Sequence, residues 1–90
     1  TEPWKDIIDV IRLPSENLFA IARVSQEKLC FAYVDGMHDY EHLSTDIKTV
    51  NHAAVICVDD LWAEELVKAF NESPRAKYHN KICHEGYICD

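Results

Sequence analysis

Glycine is scarce in this chain, which has only Gly36 and Gly86 among its 90 residues, together with three prolines. The two glycines are too far apart to form a G-x-G turn, so these residues contain no glycine-rich cofactor-binding loop. Long apolar runs are lacking too, because none approaches the roughly 20 residues that span a bilayer. Residues 1–6 also lack the basic and apolar regions of a signal peptide. The sequence therefore predicts a cytoplasmic protein with no membrane partner.

Basic residues are few: nine Lys and Arg stand against sixteen Asp and Glu, which gives a formal net charge of −7. Such a chain repels phosphate backbones, so we expect no nucleic-acid partner. Apolar residues make up 48% of the sequence and charged residues 28%, as in ordinary globular proteins. This length predicts one domain, residues 1–90. Because the chain does not begin with Met, we expect a processed or excised piece of a longer protein.

Four cysteines, in principle enough for two disulfides, are present: Cys30, Cys57, Cys83 and Cys89. Three of them lie inside apolar runs typical of strands, which favours free thiols that behave as small buried hydrophobic side chains. A zinc site is the alternative, because His79, Cys83 and His84 lie close together in the sequence and Cys89 follows them. Their spacing matches none of the usual closed zinc patterns of Cys and His.

Two apolar runs, residues 29–34 and 53–58, predict strands, and acidic residues follow each of them. Continuous apolar strands are typical of a parallel sheet buried on both faces. Between the two runs, apolar residues recur at helical spacing, at Leu43, Ile47 and Val50. Asp39 is placed to cap this helix. The segment therefore predicts a β-α-β unit with two parallel neighbouring strands.

Further elements are predicted on either side of this unit. The helix after residue 60 has an apolar face made of Ala63, Leu66, Val67 and Phe70. Residues 77–90 predict a β-hairpin whose turn lies at residues 84–86. Ser15 is placed to cap a helix over residues 16–24, whose predicted inward face is Leu18, Phe19 and Ala22. Residues 7–11 fit either a helix or a strand.

Acidic residues follow both central strands at the same edge of the predicted sheet, Asp35 after the first and Asp59 and Asp60 after the second. Neighbouring strands lie about 4.8 Å apart, so we expect the three carboxylates to converge on a cation such as Mg²⁺, which prefers oxygen ligands. His38 is the candidate general base. Structural alternatives remain: Asp60 caps the next helix, His38 binds loop backbone, and Gly36 supplies a positive φ to a turn.

Two segments resemble those of a known enzyme family: Val34-Asp35-Gly36-Met37-His38-Asp39-Tyr40-Glu41 and, after one helix, Ala54-Val55-Ile56-Cys57-Val58-Asp59-Asp60. They are similar to the fourth and fifth strands of class I S-adenosylmethionine-dependent methyltransferases, in the group with VDG-x-H-x-Y and V-x-D-D motifs. Residues 12–16 are similar to the third strand and its turn, and residues 77–90 to the closing antiparallel strands. The resemblance implies a truncated Rossmann-like, methyltransferase-type three-layer α/β sandwich, with parallel strands and a C-terminal antiparallel hairpin. It also favours a strand at residues 7–11.

The resemblance implies roles for individual residues. In the metal-dependent O-methyltransferases of this family, acids at the ends of these strands bind a divalent cation that orients the acceptor hydroxyls and lowers their pKa. Those roles would fall on Asp35, Asp59 and Asp60. His38 would help to deprotonate a small-molecule hydroxyl acceptor. The implied cofactors are S-adenosylmethionine and Mg²⁺.

The chain departs from the family because it lacks the glycine-rich turn and the second strand whose acid binds the cofactor ribose. We therefore expect a methyltransferase-like domain without independent activity, completed by a partner or a longer chain. One alternative is a non-catalytic oligomerising or protein-binding module, and another is a small metal- or acid-dependent hydrolase that uses Asp35, His38 and Asp59. A sheet without its first strands exposes the edge of the strand at residues 29–34, so we expect a homo-oligomer through that edge.

Overall fold

The computed structural model of the protein describes residues 12–36 and 38–89. These residues form a small α/β domain whose elements, in chain order, are α1 (Leu18–Ser25), β1 (Phe31–Val34), α2 (Tyr40–Thr49), β2 (Val55–Val58), α3 (Glu64–Asn71), β3 (Lys77–Asn80) and β4 (Glu85–Cys89). The segment 7–11, for which the sequence left a helix or a strand open, lies outside the described residues. None of the helices in the described ranges is long and apolar enough to cross a membrane.

The strands form one mixed four-stranded sheet in the order β1-β2-β4-β3. β1 and β2 are parallel, with Val34 opposite Val58, and α2 connects them. β4 lies between β2 and β3 and is antiparallel to both. The predicted β-α-β unit and C-terminal hairpin are therefore confirmed, although β1 and β2 each begin two residues later than the apolar runs do.

The turn of the hairpin lies at residues 81–84 and not at residues 84–86, because β4 already begins at Glu85. The side chain of Asn80 closes this turn by accepting a hydrogen bond from the backbone N–H of Ile82, 3.0 Å away. The predicted position was wrong because it took glycine as the mark of the turn, whereas Gly86 is a strand residue packed against the core.

One face of the sheet packs against α2 and α3. Side chains alternate between the two faces of a strand, so Ile56, Val58 and Ile88 point to the same side. There they join one buried cluster with residues of the two helices, namely Leu43, Ile47, Leu66, Ala69 and Phe70. Burial of this continuous apolar surface is the main force that holds the sheet and the helices together.

The opposite side of the sheet, which we call the open face, carries a row of four side chains across the strands: Tyr33, Cys57, Tyr87 and Tyr78. Phe31, Tyr33 and Tyr78 are exposed there. The part of the chain that the structure describes therefore forms a sheet with helices packed on one face. The third layer of the predicted sandwich is not present among these residues.

The first helix differs from its prediction in both its cap and its buried side. Asn17, not Ser15, caps α1, because its side chain accepts hydrogen bonds from the N–H groups of the first turn. Leu18 and Phe19 were expected to face inward, but they are 83% and 70% exposed, and Ala22 is exposed as well. Ala20 is the buried residue of this short helix. The helix makes only a narrow contact with α2, and a small side chain fits it.

The cysteines are all free, as predicted, and the expectation that they are buried holds for Cys57 alone. Cys30 is exposed because it precedes β1, a strand at the edge of the described sheet, and Cys83 is exposed in the hairpin turn. Within the described residues, the only group with metal-ligand spacing contains no cysteine. The zinc alternative built on Cys83 and Cys89 therefore finds no support in the geometry.

Candidate functional site

The carboxyl ends of β1 and β2 lie side by side, because the two strands are parallel and Val34 pairs with Val58. Asp35 and Asp59 are the residues that follow these partners. The backbone N–H of Asp59 donates a hydrogen bond to the carbonyl oxygen of Val34, 3.1 Å away, which extends the pairing to the strand ends. The acidic residues of the two strands thus emerge at one edge of the sheet.

Three side chains meet at this edge: Asp35, His38 and Asp60 each offer a ligand atom, and these atoms all lie within 4.8 Å of one another. We call them the strand-end cluster. The Nε2 atom of His38 is 3.0 Å from Oδ2 of Asp60. Asp35 and His38 are exposed, whereas Asp60 is half-buried. Of the residues that the sequence singled out, the structure thus brings together two carboxylates and the histidine.

Asp59 does not join the strand-end cluster. Its Oδ2 accepts a hydrogen bond from the Tyr33 hydroxyl at 3.0 Å, and its Oδ1 accepts one from the backbone N–H of Asp60 at 2.9 Å. Consecutive side chains of a strand point to opposite faces, and Asp59 continues the side of β2 that carries Cys57 and faces Tyr33. Alternation therefore separates Asp59 from Asp60, and Asp59 is engaged with Tyr33 outside the strand-end cluster. Of the three residues named in the hydrolase hypothesis, the cluster contains Asp35 and His38.

Tyr33 is a site neighbour that the sequence reasoning missed. The hydrogen bond to Asp59, with smaller contributions from burial and from the charges of Asp59 and Asp35, raises the pKa of Tyr33 to about 12. The phenol is therefore protonated at neutral pH and remains a donor to the carboxylate. A signal was present, because Tyr33 lies two residues before Asp35 and so shares its side of the strand.

Asp60 adopts a left-handed backbone conformation, with φ of 60°. Asp is among the few residues other than glycine that tolerate this region. The chain turns here because the N–H of Leu61 binds the carbonyl oxygen of His84 at 2.7 Å and the N–H of Trp62 binds that of Asp60 at 2.8 Å. The interpretation of Asp60 as a helix cap is therefore wrong, and Ala63 stands at the N-cap of α3.

Two further structural alternatives can be compared with the geometry. Gly36 does not have the positive φ expected for a turn glycine, so its conformation is open to other residues. Asp39 does cap α2, accepting a hydrogen bond from the backbone N–H of His42 at 2.8 Å, as predicted. The ring of His42 also binds the Asp39 carboxylate, with Nδ1 2.7 Å from Oδ2. Asp39 therefore serves the helix and not the strand-end cluster.

Trp62 is the second neighbour that the sequence reasoning missed. Its indole is 62% exposed and meets the His38 ring edge to face, with 6.4 Å between the ring centroids. Trp62 follows the buried Leu61, and its backbone N–H donates a hydrogen bond to the carbonyl oxygen of Asp60, which helps to fix its position. An exposed aromatic ring beside titratable groups is a feature of ligand sites.

The donors of the strand-end cluster are suited to a divalent cation. Two carboxylates and one imidazole leave coordination positions for water or for substrate oxygens. The set differs from the three carboxylates expected for Mg²⁺, because imidazole, which suits ions such as Zn²⁺ and Fe²⁺, replaces one of them, while the two carboxylates suit Mg²⁺ or Mn²⁺. Chemically, the cluster can hold such an ion or, through His38 and Asp60, accept a proton.

No family model matches the chain, and comparisons with curated proteins and with solved structures find no match either.

Proposed function

We propose that these residues are the metal- and acceptor-binding part of a methyltransferase-like domain, which transfers a methyl group from S-adenosylmethionine to a hydroxyl once a cofactor-binding part is supplied. The observation that carries the proposal is the strand-end cluster, in which Asp35, His38 and Asp60 meet at the carboxyl edge of a parallel strand pair. The VDG-x-H-x-Y and V-x-D-D segments supply the same residues. The parallel pair followed by two antiparallel strands supports the resemblance.

Asp35 and Asp60 would hold the cation, which would polarise the acceptor hydroxyl and lower its pKa. His38 has two ways to contribute. As a ligand it adds one nitrogen to the two carboxylates. As a base it uses its contact with Asp60. When Nε2–H donates a hydrogen bond to the Asp60 carboxylate, the unprotonated Nδ1 can accept a proton from the hydroxyl that is to be methylated. Transfer from the sulfonium then requires mainly that donor and acceptor are held in line.

The methyl donor would be bound by residues outside these 90, because the chain contains only Gly36 and Gly86 and no glycine-rich turn. The open face supports the proposal that further helices belong to this domain, because Phe31, Tyr33 and Tyr78 are exposed there while the other side of the sheet is well packed. A Rossmann-like sandwich has helices on both faces. The completed enzyme would therefore cover the open face with further helices.

Paramagnetic Mn²⁺ tests the metal site directly by nuclear magnetic resonance. We expect selective broadening of the backbone amides of Gly36 and Asp60 in the 90-residue chain. Asp35→Asn and Asp60→Asn should each abolish it, and Asp59→Asn is the matched control that should keep it, because Asp59 is engaged with Tyr33. Broadening that survives in Asp60→Asn, or that does not localise to the strand ends, would exclude the strand-end cluster as a metal site.

The remainder of the proposal is tested by calorimetry with the two substrates. Catechol, a small chelating diol, should bind the chain only when Mn²⁺ or Mg²⁺ is present, and not in Asp60→Asn. S-adenosylmethionine should give no heat with this chain, with or without metal. Binding of S-adenosylmethionine would show that the cofactor site lies within these residues. Metal-independent binding of catechol would contradict the acceptor role.

A non-catalytic oligomerising module is the second candidate, and β1 favours it. This strand lies at the edge of the described sheet and carries the exposed Phe31 and Tyr33. Edge strands with free backbone groups pair with other chains. Size-exclusion chromatography with light scattering should then give a dimer or larger species that Phe31→Lys dissociates and Ile82→Lys, in the exposed hairpin turn, does not. A stable monomer at micromolar concentration would contradict it.

A further inference from the structure

A second cleft lies beside Trp62, between α3 and the β3–β4 hairpin. It has a volume of about 530 Å³, within the usual range for sites of small molecules. Its polar lining consists of Trp62, Asn71, His79, Lys81 and His84. Leu61 and Val67 form its apolar floor. None of these residues belongs to the strand-end cluster, although Trp62 touches both.

The lining of this cleft contains basic and neutral groups and no carboxylate. That is unusual in a chain with sixteen Asp and Glu against nine Lys and Arg. Acidic residues line the three other clefts described for the fold, which contain Asp35 and Asp46, Glu72, and Asp39 with Glu41 and Glu65. The cleft beside Trp62 can therefore attract an anion within a protein that otherwise repels one.

The fold holds the polar walls of the cleft in place. The Asn80 side chain fixes the hairpin turn that carries Lys81. The carbonyl oxygen of His84 accepts a hydrogen bond from Leu61, which ties this turn to the bend that carries Trp62. His79 packs edge-on against Phe70, and its Nε2 is buried without a hydrogen-bond partner among the described residues. Such an orphaned polar atom is costly to bury.

We propose that this cleft binds a small aromatic carboxylate. The planar ring would lie against the exposed indole of Trp62, and the carboxylate would receive hydrogen bonds from Lys81 and His84. The apolar floor at Leu61 and Val67 suits the ring and would not retain a bare inorganic anion. The binding requires neither a metal nor S-adenosylmethionine, so its test is independent of the proposed methyl transfer.

Benzoate is the probe, and benzyl alcohol is its neutral counterpart of similar size. In a Trp4→Phe background Trp62 is the single tryptophan, so its indole fluorescence and its N–H resonance both report on the cleft. We expect benzoate to shift the Trp62 indole and the amides of Lys81 and His84 in a saturable manner. Benzyl alcohol should bind about tenfold more weakly, because it lacks the charge.

Variants locate the site. Lys81→Gln should weaken benzoate binding several-fold, while Lys28→Gln, an exposed lysine before β1, should leave it unchanged. Trp62→Ala, followed through backbone amides, should abolish it. Equal affinity for benzoate and benzyl alcohol, equal effects of the two lysine variants, or shifts outside the cleft would each overturn the proposal.

Discussion

The hydroxyl of Tyr33 donates a hydrogen bond to Oδ2 of Asp59 over 3.0 Å, joining the ends of the two parallel strands through their side chains. This bond removes Asp59 from the strand-end cluster and leaves Asp35 and Asp60 as its carboxylates. It also has a measurable consequence, because it raises the pKa of Tyr33 to about 12. The phenolate would face the charge of Asp59 and lose the hydrogen bond, so deprotonation is unfavourable.

Asp59→Asn should therefore lower the pKa of Tyr33 towards the ordinary value of 10.0. An amide can still accept the hydrogen bond but carries no charge, so we expect the return to be incomplete, whereas Asp59→Ala should give a fuller one. The ring resonances of labelled tyrosine, followed from neutral to alkaline pH, measure the shift. Asp35→Asn is the control, because Asp35 contributes less to the pKa. A Tyr33 pKa that is the same in all three variants and the native chain would contradict the bond.

A second pair, His42 and Asp39, predicts how stability depends on pH. The hydrogen bond to the Asp39 carboxylate raises the pKa of His42 above its ordinary 6.5, with smaller contributions from the charges of Asp39, Glu16 and Asp46. The backbone N–H and then the ring of His42 lower the pKa of Asp39 below its ordinary 3.8. The raised His42 pKa stabilises the fold below about pH 6.5, and this is lost as the pH rises through the folded-state pKa.

The lowered pKa of Asp39 contributes to stability in the opposite pH direction: this stabilisation is present above the ordinary pKa of Asp and is lost as the pH falls. The pair thus stabilises most between these two limits. Melting temperatures at about pH 5.5 and about pH 8 should differ less in His42→Gln than in the native chain. His52→Gln is the matched control, since His52 binds the backbone carbonyl oxygen of Glu27. If the two variants lose the same pH dependence, the His42–Asp39 pair is not its source.

Local sequence pattern was sufficient for the parts of the fold that local chemistry decides. Apolar runs that end in acid predicted the shared edge of β1 and β2, and Asp39 at the start of a periodic stretch predicted the cap of α2. Local pattern also predicted the C-terminal hairpin, but it placed the turn at residues 84–86 instead of 81–84. Gly86 is a glycine because of its neighbours in space, Leu61 and Phe70, which no local pattern reveals.

The composition of the candidate site was less accessible, because contacts remote in sequence decide it. Strand alternation alone would have separated Asp59 from Asp60, but it does not predict that Asp60 meets His38. That contact depends on the left-handed bend at Asp60, where the N–H of Leu61 binds the carbonyl oxygen of His84 in the hairpin turn. Trp62 follows that bend and so reaches His38. The residues at the strand ends therefore predicted the carboxylates, but not which of them would meet the imidazole of His38.

Arg75 ties two loops at the amino end of β2 and should be important for stability. Its guanidinium donates hydrogen bonds to the carbonyl oxygens of Asn51, Ala53 and Ala54 at 2.7, 2.9 and 2.9 Å. Arg75→Met should lower the free energy of unfolding by about 1.5–3 kcal/mol, the range for bonds to a charged donor. Arg75→Lys should recover only part of this, because a compact ammonium cannot span three carbonyls.

Chemical denaturation of the Arg75 variants provides the measurement, and Arg23→Met is the control. Arg23, in the last turn of α1, pairs with the exposed Glu27 just beyond the end of the helix, and an exposed ion pair contributes about 0.2–1 kcal/mol. Losses of similar size for Arg75→Met and Arg23→Met would mean that the three carbonyl contacts of Arg75 add little to the fold.

Gly86 is the position at which the core tolerates no side chain. A Cβ atom there would lie 2.3 Å from Cδ1 of Leu61 and 2.6 Å from Cε1 of Phe70, both fully buried residues. Gly86→Ala should therefore destabilise the protein by about 1–3 kcal/mol through overpacking. Ile82→Ala, at a residue 93% exposed in the adjacent turn, should change stability by less than about 0.5 kcal/mol.

A double variant separates overpacking from an effect on the strand itself. Phe70→Leu removes the ring atoms nearest the new methyl group and should cost about 1–3 kcal/mol alone, as the core loses volume. Combined with Gly86→Ala, it should cost less than the two single losses together, because the methyl group then fills part of the space left by the ring. Additive losses in this cycle would mean that Gly86 is required for the backbone of β4 and not for the room it leaves to Phe70.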